Sequence, residues 1–331
     1  MILTVTANPT IDRVLFVREF AMQDVVRAER EIVSPSGKGI DVSIILHALG
    51  AKTLAISLNA GLSGTMLAAL LDDRGVPYHF VTAEGETRTA ALITDITHRR
   101  QSTILAPTLK AGPEHLAQLV EQVRAHAATS WGLVCAGSLP PGLPTNAWAT
   151  LLHVGREHDL VTLLDSSGVG LQQGLAALPT ILKINGRELQ ELAVHHGETL
   201  PAWTAPDHLD DLAAWLRDRV GRWASDALII TLGAAGALAV TAEDALHVPA
   251  PAVPLVSAAG AGDAVAAGVM LGRRQGQRWS DALRLGVAAA TAVVMNEGTA
   301  VCTAPAVYAL LPQITHHNLS FALPRDRGEE P

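Results

Sequence analysis

Residues 125–155, AHAATSWGLVCAGSLPPGLPTNAWATLLHVG, form the longest run of the chain without Asp, Glu, Lys or Arg. Such a run is either a membrane span or the buried interior of a soluble domain. Ser138, Pro140, Pro141, Gly142 and Pro144 interrupt it. They leave no continuous apolar helix of the roughly 20 residues a bilayer requires. What remains is the short apolar run Gly132–Ala136, closed by the turn Gly137-Ser138-Leu139-Pro140-Pro141-Gly142. A short apolar run bounded by turn residues reads as a strand buried on both faces. That is the habit of strands in a parallel sheet covered by helices.

The same signature recurs outward from this strand. Ile2–Thr6, Thr53–Leu58, Leu160–Asp165, Thr180–Ile184 and Ala227–Leu232 are further short apolar runs rich in branched residues. Helical periodicity lies between them. Leu116, Leu119, Val120 and Val123 stripe the segment Glu114–Ala128, and Leu212, Trp215, Leu216 and Val220 stripe Leu209–Trp223. Alternating strand and helix predicts an α/β fold of three layers, α/β/α, around a mostly parallel central sheet. No period of 20–50 residues repeats and no Ser/Gly linker divides the chain. One domain over residues 1–312 is expected, with a polar tail over 313–331 that includes Arg325, Asp326, Arg327, Glu329 and Glu330 and frays. Two segments break the rhythm. Residues 13–33 and 88–105 carry short alternating patterns, and in the second Thr89–Thr94 and Ser102–Leu105 flank the polar turn Asp95–Arg100. They read as a small β-strand lid beside the main sheet.

Composition narrows the class. The chain has 331 residues, of which 49% are hydrophobic, 17% charged and 4% aromatic, so its core is built mainly of Ala, Leu and Val. A formal charge of −8 argues against a nucleic-acid or anionic-membrane surface as the main partner. Two cysteines, Cys135 and Cys302, sit in apolar surroundings. Paired with an opening, MILTVTANP, that has neither a basic segment nor a long apolar one, they point to a reducing, cytoplasmic setting. The thirteen histidines, including His195-His196 and His316-His317, form no zinc spacing, and no G-x-S-x-G elbow is present.

In a parallel sheet, ligands bind beyond the carboxyl ends of the strands. Asn8, Pro9 and Asp12 follow the first strand, Gly137-Ser138 the central one, Asp165-Ser166-Ser167-Gly168 the next, and Asn185-Gly186-Arg187-Glu188 the one after that. Ser257-Ala258-Ala259-Gly260-Ala261-Gly262-Asp263 opens an Ala-rich helix. Glycines before a helix let successive N–H groups face one anion, and the helix N-terminus adds partial positive charge. Asp263 there could take a proton from a hydroxyl, or it could simply cap the helix. Asn185 and Glu188 could hold a hydrated Mg²⁺ or could form a reciprocal cap. Ser36-Gly37-Lys38-Gly39 presents a lysine at the start of the helix Ile40–Leu49, which suits an anion or a solvated turn. It is no Walker A loop, since no Ser or Thr follows the lysine. Arg27 and Arg88 lie in the lid, and arginine forks bind phosphate bidentately.

Taken in chain order, these motifs resemble the ribokinase-like, PfkB-type carbohydrate kinases over about Met1 to Pro312, in particular the branch of 1-phosphofructokinases and tagatose-6-phosphate kinases. The resemblance is carried by Thr6-Ala7-Asn8-Pro9-Thr10-Ile11-Asp12, Gly37-Lys38-Gly39, Thr87-Arg88, Gly137–Gly142, Asn185-x-x-Glu188 and Gly260-Ala261-Gly262-Asp263. It implies a ribokinase-like fold and an ATP- and Mg²⁺-dependent sugar kinase. Asp263 would be the catalytic base, and Gly260, Ala261 and Gly262 would form the anion hole. Asp12, Gly37 and Asp41 would face the sugar, while Lys38, Arg88 and Ser138 would face a substrate phosphate. Asn185 and Glu188 would steer Mg²⁺ through water. Asn185, Thr231, Gly233, Gly236 and Gly298 would contact the nucleotide, with Thr299 near the adenine. It also implies a homodimer joined through lid strands.

Six positions depart from the branch pattern. Ser36 replaces a glycine, Asp41 and Ala90 each replace an asparagine, Ile184 replaces a proline, and Ser257-Ala258 stands where Asn-Thr or Asp-Thr is usual. The departures at Ser36, Asp41 and Ala90 concern the sugar pocket and leave the catalytic signature intact. The acceptor implied is a hexose phosphate: fructose 1-phosphate, tagatose 6-phosphate or fructose 6-phosphate. A kinase for an unphosphorylated sugar or nucleoside, and a catalytically weak sugar-phosphate sensor, are the alternatives. Lys38 and Arg88 against Asp41 leave the pocket net positive on this count, which favours a phosphorylated sugar.

Overall fold

The computed structural model describes residues 1–22, 24–98, 100–203 and 208–321. The expectation for residues 322–331 of the tail lies outside the described residues. Fourteen strands are found among them: β1 Ile2–Thr6, β2 Thr10–Val17, β3 Arg30–Ser36, β4 Thr53–Asn59, β5 Tyr78–Thr82, β6 Arg88–Asp95, β7 Arg100–Leu105, β8 Gly132–Ala136, β9 Val161–Asp165, β10 Ile181–Asn185, β11 Ala227–Thr231, β12 Ala237–Val240, β13 Ala245–Val248 and β14 His317–Asn318. The helices are α1 Lys38–Ala48, α2 Gly61–Asp73, α3 Pro113–Ala127, α4 Ala147–Glu157, α5 Gly168–Gly174, α6 Gly186–His195, α7 Leu209–Arg217, α8 Ala261–Arg274, α9 Trp279–Val294 and α10 Ala304–Leu310.

Ten strands form one sheet in the order β14-β13-β12-β11-β10-β9-β8-β1-β4-β5. From β11 to β5 every pairing is parallel, and β12, β13 and β14 close the other edge antiparallel. Alternation along the strands splits the core in two. Leu3 and Val5 of β1 face α3, α4, α6 and α7, whose Leu119, Trp148, Leu189 and Leu212 are fully buried. Ile2 faces the opposite layer with Ile40, Ile45, Leu67, Met270 and Leu283 of α1, α2, α8 and α9. This is the three-layer arrangement the alternation of elements predicts. The α8–α9 contact is close because both helices carry a glycine at the crossing: a Cβ on Gly268 would lie 2.4 Å from Gly286 Cα.

Four strands form a separate small sheet in the order β3-β2-β6-β7. It is mixed rather than purely antiparallel, since β2 and β6 run parallel. Its own small core is Val14, Phe16, Ala90 and Leu92, with Ile32 and Ala259 packed against it. Asp95 ties the β6–β7 turn to the end of β2, accepting from the backbone N–H groups of Phe20 and His98 and from Arg100 Nε.

Two boundaries differ from the sequence reading. The helix expected over Leu209–Trp223 stops at Arg217. Gly221 takes φ +84, and Gly221 N–H donates to Ala224 O at 2.7 Å. The apolar stripe continues as a tight turn, with the Arg219 guanidinium over the Trp215 ring at 3.3 Å. Nor does the chain lose structure at Pro312: β14 pairs with β13, setting His317 opposite His247. No helix among the described residues is long and apolar enough to cross a membrane.

Candidate active site

The chain turns away from β1 in two directions, to β4 on one side and β8 on the other. Crevices at such switch points are where open α/β sheets bind ligands. Asn8, two residues beyond β1, and Ser138, two beyond β8, meet there: Asn8 Nδ2 donates to Ser138 Oγ at 3.1 Å. Thr108 Oγ1, on the chain returning from the small sheet, donates to Asn8 Oδ1 at 2.6 Å. The backbone under Ser138 is pinned. Gly137 N–H donates to Asp165 O at 2.9 Å, and Gly137 O accepts from Ser166 Oγ at 2.8 Å and from Trp148 Nε1 at 3.2 Å.

The opening of α8 lies on the same side. Gly260 is left-handed at φ +83, and a Cβ there would come within 2.7 Å of Ala300 N. Only glycine fits both constraints. The turn delivers Asp263 into the first helical turn, 8% exposed. Burial pushes its carboxyl up to about 6. The negative charges of Asp165 and Glu188 act in the same direction, and Lys183 and Lys38 oppose them.

A fully buried carboxylate organises the cations. Asp165 Oδ1 accepts from Lys38 Nζ at 2.7 Å, and its Oδ2 accepts from Lys183 Nζ at 2.6 Å. Burial pushes the Asp165 carboxyl up, but the two lysines outweigh it and hold the group below the usual carboxylate range. Lys38 Nζ also donates to Glu188 Oε1 at 3.1 Å. Burial alone would lower the Lys38 ammonium, yet Asp165, Glu188 and Asp263 together raise it. Lys183 is 3% exposed, and its Nζ lies 3.0 Å from where a Cβ on Gly262 would stand. The described hydrogen bonds give it one acceptor.

Asn185 and Glu188 form the reciprocal cap: Glu188 N–H donates to Asn185 Oδ1 and Asn185 N–H to Glu188 Oε2, both at 2.9 Å. Both Glu188 oxygens are thus engaged. Among the described residues no group of three or more His, Cys, Asp or Glu side chains could hold a metal ion directly.

Asp12 and Asp41 line the side toward the small sheet. Asp12 accepts from Thr299 Oγ1 at 2.8 Å. Burial raises its carboxyl against the hydrogen bonds from Thr299 and Ser36 and the charge of Arg88. Asp41 Oδ2 accepts from Ser36 Oγ at 3.1 Å and Gly37 N–H at 3.4 Å, while Oδ1 is buried without a partner. Burial, then Asp263 and Asp12, push the Asp41 carboxyl well up. Arg88 Nε is likewise buried without a partner, and burial lowers its guanidinium while Asp12 works against that.

Of the remaining expected positions, Thr231 lies opposite Asn185 in the parallel β10–β11 pairing. Thr231 ends β11, and Gly233 and Gly236 belong to the turn that follows, closed by Leu232 N–H donating to Gly236 O at 2.8 Å. Gly298 stands instead beside the small sheet: a Cβ on it would be 3.2 Å from Ser34 Oγ and 3.3 Å from Ile32 Cγ2. Thr299, next to it, donates to Asp12 of β2. Arg27 is exposed in the β2–β3 connection. Sequence reasoning missed Asp165 and Lys183 as partners of the site. The signal was a lone lysine inside the apolar run Ile181–Ile184, since a lysine there needs a buried anion. Arg74 was also missed: it donates to Ser34 Oγ at 3.3 Å and carries a positive charge toward Asp41.

Residues 3–306 match the family described as pfkB family carbohydrate kinase. A 1-phosphofructokinase of Haloferax volcanii is 33% identical over 304 residues, covering 91% of this chain and 93% of that protein. An ATP-dependent 6-phosphofructokinase isozyme 2 of Mycobacterium tuberculosis is 29% identical over 301 residues, covering 91% and 86%. The crystal structure of phosphofructokinase-2 from Escherichia coli in complex with potassium superimposes with a TM-score of 0.82 at 27% identity, covering 94% of this chain and 98% of that one.

Proposed function

From the premise that the chain belongs to the pfkB family of carbohydrate kinases, we propose that it transfers the γ-phosphoryl group of ATP to a hydroxyl of a hexose phosphate. The observation that carries this reading is the buried Asp263 at the start of α8, beside two lysines bridged by Asp165. Phosphoryl transfer needs positioning and charge neutralisation more than covalent chemistry. Asp263 orients the acceptor hydroxyl and takes its proton as the oxygen attacks. The N–H groups of Ala261 and Gly262 stabilise the charge on the transferring group. Asp12, Gly37 and Asp41 hold sugar hydroxyls, and Arg88 and Ser138 take the substrate phosphate.

The charge balance is not the one a count over Lys38, Arg88 and Asp41 suggests. Lys38 is shared between two carboxylates, so it is not a free phosphate cation. The weight falls on Arg88, whose Nε has no partner. A half-buried guanidinium whose Nε is unpaired favours an anionic ligand.

ATP would reach the site from the ends of β10 and β11, with Asn185, Thr231, Gly233 and Gly236 along its path. With the Glu188 oxygens already engaged by Lys38 and by Asn185 N–H, this pair would reach Mg²⁺ only through the ion's own waters, which Mg²⁺ sheds reluctantly. Glu188 would orient that water shell, and the ion would supply neutralisation of phosphate charge. A dimer through the small sheet is supported by β7, an edge strand exposed along its whole length. ADP-release assays with fructose 6-phosphate, fructose 1-phosphate, tagatose 6-phosphate, free fructose and a nucleoside test the substrate class. A preference for an unphosphorylated acceptor would overturn it.

A further inference from the structure

We propose that Asn8 is a positioning residue that turns the Ser138 hydroxyl into a dedicated hydrogen-bond donor for the substrate phosphate, and that Thr108 sets Asn8 for this task. The proposal rests on the reading that Ser138 faces that phosphate.

The argument is one of donors and acceptors. A serine hydroxyl carries one O–H and can also accept. Left alone, it rotates and can spend its proton on any nearby carbonyl. Here Asn8 Nδ2 donates to Ser138 Oγ at 3.1 Å. That contact fills an acceptor position of the oxygen and leaves the O–H pointing elsewhere. The described residues give the Ser138 side chain no acceptor of its own. Its proton is therefore free for a ligand, and a phosphate oxygen is the acceptor that gains most from it.

The two lengths assign the Asn8 amide: 2.6 Å between Thr108 Oγ1 and Asn8 Oδ1 is an O–H···O distance, and 3.1 Å between Asn8 Nδ2 and Ser138 Oγ suits N–H···O. With the Thr108 O–H donating to the amide oxygen, the NH₂ group is turned to Ser138. Asn8 is 6% exposed, too buried for water to compete. The three residues come from three places: the end of β1, the turn after β8, and the chain returning from the small sheet. They span the switch point between β1 and β8. Because Thr108 follows β7 by three residues, the hydroxyl's orientation is coupled to the seating of the small sheet.

The test is a kinetic cycle on fructose 6-phosphate or fructose 1-phosphate, whichever the wild type prefers. Ser138→Ala should raise KM for the phosphosugar about tenfold, the span of a lost charged hydrogen bond, with KM for ATP unchanged. No rise there sinks the parent reading of Ser138, whatever Asn8 does. Given that rise, Asn8→Ala should raise the phosphosugar KM about threefold to tenfold, leave kcat and the KM for ATP within about twofold, and add nothing in the Ser138→Ala background. Additive effects would mean that Asn8 acts independently of Ser138, and an unchanged KM would mean that it does not act at all; either overturns the proposal. Asn8→Asp should be worse than Asn8→Ala, because a carboxylate at that place takes the Ser138 proton for itself. Should the Asn8 variants fail to fold, Thr108→Val carries the test. It frees the amide to rotate and should raise KM for the phosphosugar alone, and a wild-type KM in that variant refutes the arrangement.

Discussion

Asp263 is a carboxylate held at about 6, mainly by burial. A base with that value works once deprotonated, so kcat/KM should rise with pH through about 6 and level off above it. Lys183 opposes the rise of that carboxyl. Removing it as Lys183→Met should shift the acid limb upward, because one of the two cations that oppose the rise is lost and only Lys38 remains against Asp165 and Glu188. An acid limb that stays in place would show that Lys183 does not act on the base. Asp263→Asn should keep fold and ATP affinity while lowering kcat by roughly 10²–10⁴, and a variant near wild-type kcat would remove Asp263 from that role. Glu188 is both cap and ion-pair partner. Glu188→Gln keeps a hydrogen-bonding group at the cap but loses the charge. If the side chain orders the water shell of Mg²⁺, the Mg²⁺ concentration for half-maximal rate should increase. If it is a cap alone, only the melting temperature should drop.

At the scale of elements, the tightest contact is α8 on α9. Gly268→Ala would place a Cβ 2.4 Å from Gly286 Cα and should cost about 1–3 kcal/mol of stability by overpacking. That loss is readable in denaturant titration. Because α8 also carries Asp263, kcat should fall with it. The pairing of β14 with β13 predicts a pH effect of its own. Burial, then the neighbouring His317, lowers the His247 imidazole, against the pull of its bond to Ala235 O. The native state therefore binds that proton less readily than the unfolded chain does. Stability should fall as pH drops below the ordinary histidine value of about 6.5. In His247→Gln that part of the slope should vanish.

The elements themselves were legible because burial imposes their period. Ile2–Thr6 and Gly132–Ala136 are buried along their whole length, since helices cover both faces of the sheet. Asp263 and its glycines were legible because a left-handed residue packed against Ala300 admits no side chain. The charge partners were not. Whether Asp165 bridges two lysines depends on strands β9 and β10 lying side by side with Lys38 reaching across, which no local pattern encodes. The Leu209–Trp223 stripe misled for the converse reason, because the helix stops at Arg217 while the apolar spacing runs on through the turn at Gly221.

For the whole molecule the open question is how the small sheet is held. Its own core is a few side chains around Val14, Phe16, Ala90 and Leu92, and such a small sheet is marginal alone. Several contacts fasten it to the body: Ala259 packs under that core, Thr299 Oγ1 donates to Asp12, Arg74 donates to Ser34 Oγ, and Arg30 pairs with Glu297. Ala259 immediately precedes Gly260 and its O accepts from Ala300 N–H at 3.2 Å, so the small sheet rests against the turn that opens α8. The outer side is bare. Ile104 is 58% and Leu105 57% exposed on β7, which presents an unpaired edge. Exposed apolar edge strands invite pairing with another chain. A second copy of the chain placing its β7 there would pair the open backbone edge, reduce the exposure of this apolar end and stiffen the sheet that carries Asp12 and Arg88. Sedimentation equilibrium should then give a dimer for the wild type and a monomer for Ile104→Glu/Leu105→Glu. The monomeric variant should keep its KM for ATP but show a raised KM for the phosphosugar, since Asp12 and Arg88 sit on the strands that the partner steadies. A wild type that stays monomeric, or a monomeric variant with an unchanged sugar KM, would show that the small sheet is seated by its own core and its contacts with the body, without a partner.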